Sequence, residues 1–149
     1  QVLNGYTLDP LFCFSPDGKL LVNDGDVFDT SDWQKRYTLP VQQGDGNSWY
    51  AHTFEFSADS SVVAVLNPSR IDLFESKTGT KIGAVGPHQY FPTILLSRDG
   101  RRVVTLGSEM TLWDGLSGAM IARVPGEFTC EFSPDGCHFI LRGLLALQR

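Results

Sequence analysis

A serine hydroxyl stands two residues ahead of a carboxylate four times in this chain, at Ser15 and Asp17, Ser57 and Asp59, Ser97 and Asp99, and Ser133 and Asp135. Such a pair could serve acyl transfer, with the hydroxyl as nucleophile, if a base and an orienting group stood beside it. The sequence has no Gly-x-Ser-x-Gly elbow to raise a serine above a sheet. It also offers four copies where catalysis needs one. Equal copies point to a structural role, with a small hydroxyl at a strand end and a carboxylate capping a turn. No nucleophile, base and orienter can be assigned, and the expected catalytic set is empty.

Metal and phosphate chemistry are equally bare. The three histidines, His52, His88 and His138, lie in different parts of the chain without His-x-x-x-His spacing. There is no Gly-x-x-x-x-Gly-Lys-Ser/Thr phosphate loop. The three cysteines, Cys13, Cys130 and Cys137, form no closely spaced metal pair. If Phe132 pairs with Cys137 across the Ser-Pro-Asp-Gly turn, Cys130 falls opposite Phe139, so a disulfide between the two cysteines is not expected. Free thiols fit a reducing compartment, and the expected location is cytoplasmic. No metal and no cofactor are expected. An acidic ring around a central channel could hold a divalent cation, but no particular residue is nominated for it.

The net charge of −5 runs against a nucleic-acid partner, which needs a basic stripe. The pairs Lys35-Arg36 and Arg101-Arg102 lie on strands, where neighbours point to opposite faces and make no patch. No apolar run is long enough to span a membrane, and residues 1–12 show no leader pattern. At 42% hydrophobic residues the chain is globular.

The elements that position these residues repeat with the serines, at intervals of 42, 40 and 36 residues. Each unit reads as four strands. Strand a ends in a phrase such as Cys13-Phe14-Ser15-Pro16-Asp17-Gly18 or Glu131-Phe132-Ser133-Pro134-Asp135-Gly136. Pro presets φ in the turn, and Gly accepts a positive φ. Strand b follows at Lys19–Asn23, Ser61–Leu66, Arg101–Leu106 and Cys137–Leu141. The Asp24-Gly25 dipeptide is a hairpin signal. Strand c ends in an aromatic and an acid: Phe28-Asp29, Phe74-Glu75, Trp113-Asp114. Strand d spans Trp33–Leu39, Thr80–Val85 and Ala119–Val124. The apolar run Val62–Leu66 suits a strand buried on both faces. A period near ~40 residues with four strands per unit predicts an all-β array of propeller blades in one domain, residues 1–149. The blade units are 11–39, 52–85, 91–124 and 127–149, about three complete blades and a partial one, with residues 1–8 as a closing or preceding strand.

These phrases, the Trp113-Asp114 dipeptide and Gly79-Thr80-Lys81 resemble the WD-repeat β-propeller family over nearly the whole chain. The resemblance implies a buried relay in the third unit, with His88, Thr105 and Trp113 in the places of the family's His, Ser/Thr and Trp. The Asp of that relay is missing from the shortened turn Gly107-Ser108-Glu109, where Glu109 is the nearest acid to stand in. Phe28 and Phe74 replace Trp in the other units and cannot donate a hydrogen bond. The resemblance also implies a non-catalytic scaffold that binds protein partners, as a segment of a larger protein. The rival class is a propeller hydrolase or lactonase with a metal in the channel.

Two arrangements fit the blade count. One is an arc of a larger propeller, with self-association or absent blades covering its ends. The other is a four-bladed ring, sealed by Leu144–Gln148 as strand c and Val2–Gly5 as strand d. The candidate interaction surface gathers in loops on the rim. The loop from Pro40 ends in Trp49 and Tyr50, the loop after Gly86 carries Gln89 and Tyr90, and Arg70 sits in a turn between strands b and c. Large aromatics and arginine are the side chains that anchor interfaces.

Overall fold

The computed structural model describes residues 12–41, 53–67, 69–86, 93–133 and 138–143. These residues form an all-β, propeller-like fold with no helix among them. The first sheet holds β1 (Phe12–Phe14), β2 (Leu20–Asn23), β3 (Asp26–Asp29) and β4 (Lys35–Thr38). The second holds β5 (Thr53–Phe56), β6 (Val62–Leu66), β7 (Ile71–Glu75) and β8 (Lys81–Val85). The third holds β9 (Thr93–Leu96), β10 (Arg102–Leu106), β11 (Glu109–Asp114) and β12 (Met120–Pro125). The fourth pairs β13 (Phe128–Phe132) with β14 (Phe139–Gly143).

Each sheet is an antiparallel meander in chain order. The first strands lie side by side, β1 against β5, β5 against β9 and β9 against β13. Sheets that meet at their first strands radiate from a common line, as propeller blades do. The repeat extends to fine detail. The pairing of the third and fourth strands slips by one residue at Val27/Phe28, Leu73/Phe74 and Leu112/Trp113. A bulge at the same place adds twist to each blade.

The repeated serines explain why the chain turns where it does. Ser15, Ser57 and Ser97 are buried. Their hydroxyls donate to Asp17, Asp59 and Asp99 at 2.6, 2.8 and 2.8 Å. They accept from the backbone N–H groups of Leu20, Val62 and Arg102 at 2.9, 3.0 and 2.9 Å. One hydroxyl thus closes the turn and satisfies the first donor of the returning strand. Gly18, Ser60 and Gly100 take φ of 72, 62 and 67° at the turn's end. Between β2 and β3, Asp24 and Gly25 take φ of 50 and 86°, the paired positive angles of a two-residue hairpin.

Packing occurs between blades. The face of the first blade with Val22 and Val27 joins Phe54, Phe56, Val63 and Phe74 of the second in one core. The opposite face of the second blade, with Ala64, Ile71 and Leu73, joins Leu96, Val103 and Trp113 of the third. Close approach needs glycine here. A Cβ on Gly83 would collide with the carbonyl oxygen of Gly115 in the next blade.

Several strand limits differ from those expected from the sequence. Trp33 and Gln34 precede β4 rather than opening it, because Trp33 sits at φ 55° with its N–H bonded to the Asp29 carbonyl at 2.8 Å. In the fourth sheet Phe132 faces Phe139, and Cys130 faces Leu141. The expected register of Phe132 with Cys137 fails because Ser133 closes a wider turn. Its N–H meets the His138 carbonyl at 2.8 Å, and the His138 N–H meets its hydroxyl at 3.0 Å. The expected ring-closing segments, Leu144–Gln148 and Val2–Gly5, lie outside the described residues.

Candidate interaction surface

Arg70 lies in the turn that carries β6 into β7. That turn is tied by the Asn67 N–H on the Arg70 carbonyl at 2.9 Å. The Arg70 side chain is about half exposed, at 47%, while the Asp72 side chain is 4% exposed. Arg70 Nε lies 2.9 Å from Asp72 Oδ1 and 3.2 Å from Oδ2. Lys81 Nζ, on the neighbouring β8, is 2.6 Å from Oδ1. Asn67 Nδ2 donates to Oδ2 at 2.8 Å. The Asn67 contact is an aligned hydrogen bond, whereas Oδ1 is held by charge alone. A buried carboxylate needs such neutralisation. It holds two cations whose own side chains stay about half exposed, Arg70 at 47% and Lys81 at 43%.

Asp72 is a functional candidate that the motifs do not reveal. Its only signal in the sequence is a lone acid inside the apolar run Ile71–Phe74, within reach of basic residues on both sides. Trp49, Tyr50, Gln89 and Tyr90, the other candidates for this surface, lie outside the described residues, as does His88.

In the third blade Trp113 Nε1 donates to Thr105 Oγ1 at 3.1 Å, with both side chains buried. Glu109, the acid considered as a stand-in for the absent Asp, instead holds Arg123 of β12 at 2.7 Å. Phe74 fills the corresponding place in the second blade and is buried by packing alone.

Other charged groups are engaged locally. Lys35 lies 3.3 Å from Asp26, and Arg36 lies 3.0 and 2.8 Å from Asp29 and Asp32. Arg101 lies 3.7 Å from Asp99, and Arg102 lies 2.6 Å from Asp114. The Ser31 hydroxyl and N–H, with Arg36, hold the Asp29 carboxyl down at about 2. Burial pushes the Cys13 thiol up to about 12, with the Glu55 charge adding to it. Burial also raises Cys130. Both thiols are free, and neither is primed as a nucleophile. Among the described residues no three His, Cys, Asp or Glu side chains stand close enough to share a metal ion.

No protein-family profile matches the sequence, and no curated protein does. Solved structures do match, 325 chains in number. One is hydrazine synthase of Kuenenia stuttgartiensis, a β-propeller-containing protein, with a TM-score of 0.62 at 14% identity. The match covers 95% of this chain and 45% of that one, so this chain spans less than half the length of the protein it matches. The chain is similar to a propeller-bearing protein in fold, and its blades are those of a propeller-like sheet array.

Proposed function

We propose that the chain is a non-catalytic recognition module of the WD-repeat kind, a segment of a larger scaffold that binds protein partners. One observation carries this reading. Each buried serine that could have served chemistry is consumed by its own turn, bonded to an aspartate two residues on and to the backbone of the next strand. The polar chemistry of the repeat goes into holding blades, and the rim is left for recognition. Arg70 stands on that rim, fixed by Asp72. The loop segments containing Trp49 and Tyr50, and Gln89 and Tyr90, lead from one blade into the next. Arginine and large aromatics on a rigid scaffold supply anchor residues at low ordering cost.

The test is a peptide-array screen with the purified chain. A bound peptide should lose affinity with Trp49→Ala while the melting temperature holds, and with Arg70→Gln, which also lowers the melting temperature because Asp72 keeps Lys81 as its one cation. The enzyme reading predicts a different result. Divalent cations would raise the melting temperature by mass action, and lactone or ester hydrolysis would appear. Metal-dependent stabilisation together with turnover would overturn the scaffold reading.

A further inference from the structure

Among the ion pairs of the described residues, acids match or outnumber bases everywhere but at one place. Lys19, Lys35, Arg101, Arg102 and Arg123 each meet one acid. Arg36 meets two, Asp29 and Asp32. At Asp72 the ratio is reversed, with Arg70 and Lys81 on a single carboxylate. The partner acids elsewhere are partly exposed, from 22% at Glu109 to 54% at Asp99, whereas Asp72 is buried.

The repeat marks Arg70 as an addition. The slips at Val27/Phe28, Leu73/Phe74 and Leu112/Trp113 align the three blades. Asp72 is then level with Asp26 and Thr111. Lys81, the partner of Phe74, is level with Lys35 and Met120, the partners of Phe28 and Trp113. In the first blade Asp26 is satisfied by Lys35 at 3.3 Å and the Thr38 hydroxyl at 2.6 Å, with no arginine. The residues level with Arg70 are acids, Asp24 and Glu109. In a chain of net charge −5, the second blade thus reverses the sign of its rim position.

The arginine is also held in place. Both of its contacts with Asp72 run from Nε. Guanidinium is planar, so the end of the fork formed by its two terminal nitrogens is directed away from that carboxylate. Among the described residues those nitrogens have no partner beyond Asp72. The Arg70 backbone is confined too. Gly86, at φ 142°, brings the chain after β8 so close that a Cβ there would stand 3.1 Å from the Arg70 Cα.

We infer that the group recognised here is a carboxylate, the Asp or Glu side chain of an acidic peptide, which rests on the recognition reading of this rim. The free end of the Arg70 fork takes it in two parallel bonds, and Lys81 Nζ is the second cation. Two cations already sharing one carboxylate match a singly charged group, whereas a phosphate of nearly double charge would exceed them. Asp72 is the positioning residue. It keeps both cations in place before a partner arrives, so less side-chain freedom is lost on binding.

Fluorescence anisotropy tests it, with the whole chain titrated into a labelled octaglutamate peptide. The wild type should bind that peptide, more weakly as salt rises, and should not bind octaglutamine. Arg70→Gln and Lys81→Gln should each lose about tenfold in affinity, the worth of one charge-assisted bond. Arg101→Gln removes the same charge from a one-to-one pair and should bind like the wild type. Because Arg70→Gln also weakens the fold, the wild type supplies a second readout: its Arg70 Nε–H signal in proton–nitrogen NMR should shift when the peptide is added. Absence of binding, an equal loss with Arg101→Gln, or an unmoved Arg70 signal overturns the inference. Binding that requires phosphoserine in place of glutamate overturns it as well. Neutral or basic peptides recovered from the array and lost with Trp49→Ala overturn it while leaving the recognition module standing, and an array with no binder of any composition overturns both.

Discussion

The indole N–H of Trp113 reaches the hydroxyl of Thr105 across one strand pair, 3.1 Å apart, inside the core that joins the second and third blades. It secures the aromatic of β11 by a directed bond where the earlier blades use Phe28 and Phe74. Trp113→Ala should cost about 3–5 kcal/mol, as deletion of a large buried aromatic does. Trp113→Phe keeps most of the packing and should cost about 1–2 kcal/mol, the loss of one buried hydrogen bond. Urea unfolding of the two variants separates the two contributions. A loss under about 1 kcal/mol for the alanine variant would place Trp113 at the surface.

The serine turns should differ in how much they hold. Ser57 is fully buried, and its hydroxyl satisfies the Val62 N–H. Ser57→Ala strands that donor away from water and should cost about 1–3 kcal/mol. Ser133 bonds His138 in the same pattern at an exposed turn, where water can replace the hydroxyl. Ser133→Ala should therefore cost less than about 1 kcal/mol. Equal effects in chemical denaturation would contradict the assignment of burial to these turns.

Inter-blade fit makes a sharper contrast between two glycines. Gly83→Ala drives a methyl into the Gly115 carbonyl of the next blade. Separating two blades by even part of a methyl radius should cost about 3 kcal/mol or more. At Gly107 nothing lies within 4 Å of an added Cβ. Gly107→Ala should be neutral or stabilising by about 0.4–1 kcal/mol, through the unfolded chain. Melting temperatures of the two variants should move in opposite directions or differ widely.

The turn aspartates set the response to acid. The Ser15 hydroxyl, with the Lys19 N–H, lowers Asp17 from 3.8. Partial burial works to raise Asp59 and Asp99, but hydrogen bonds from neighbouring serines and backbone N–H groups leave both below 3.8. A depressed folded value means that the contribution is complete above about pH 4 and is lost as pH falls through the folded value. For Asp29 that loss extends down to about 2. Glu55, raised by burial, acts with the opposite sign above its ordinary value of 4.5. Urea midpoints should therefore drop between about pH 4 and 2, and Glu55→Gln should lift the neutral plateau without moving that drop.

An alkaline limb should exist as well. Burial, with the Glu75 charge, pushes Tyr37 from 10 up to about 12. Its hydroxyl donates to the Ser76 carbonyl of the next blade. The folded state keeps the phenol neutral, so stability is intact below pH 10 and falls as pH rises toward 12. Tyr37→Phe should flatten that limb in a pH series of unfolding midpoints.

The blade order and the turn phrase are legible in the sequence because both are written locally. A Ser-x-Asp hydroxyl and carboxylate bond within their own turn, so a few consecutive residues carry the whole signal. The features that sequence alone misplaces depend on partners distant in the chain or on backbone angles. Trp33 is β-prone by type, yet it occupies a left-handed turn position that glycine holds in the second and third blades. The register of β13 with β14 depends on whether Ser133 closes a narrow or a wider turn, and its side chain selects the wider one. Asp72 looks like a single polar residue in an apolar strand, and only the fold brings Lys81 to it, from the adjacent strand. Arg70 has the sequence setting of a solvated turn residue, and its anchor is that same carboxylate, two positions on.

The central claim is that successive sheets stack side by side, each outer strand crossing the glycine turn of the next. Proton NMR tests it at one point, the Gly79 α-protons under the Tyr37 ring. Ring-current shielding should move one α-proton of Gly79 upfield, with a nuclear Overhauser effect to the Tyr37 ring, and Tyr37→Ala should abolish both. A Gly79 resonance at its ordinary position with no Tyr37 cross-peak, in a folded chain, would contradict the blade stacking on which the rest depends.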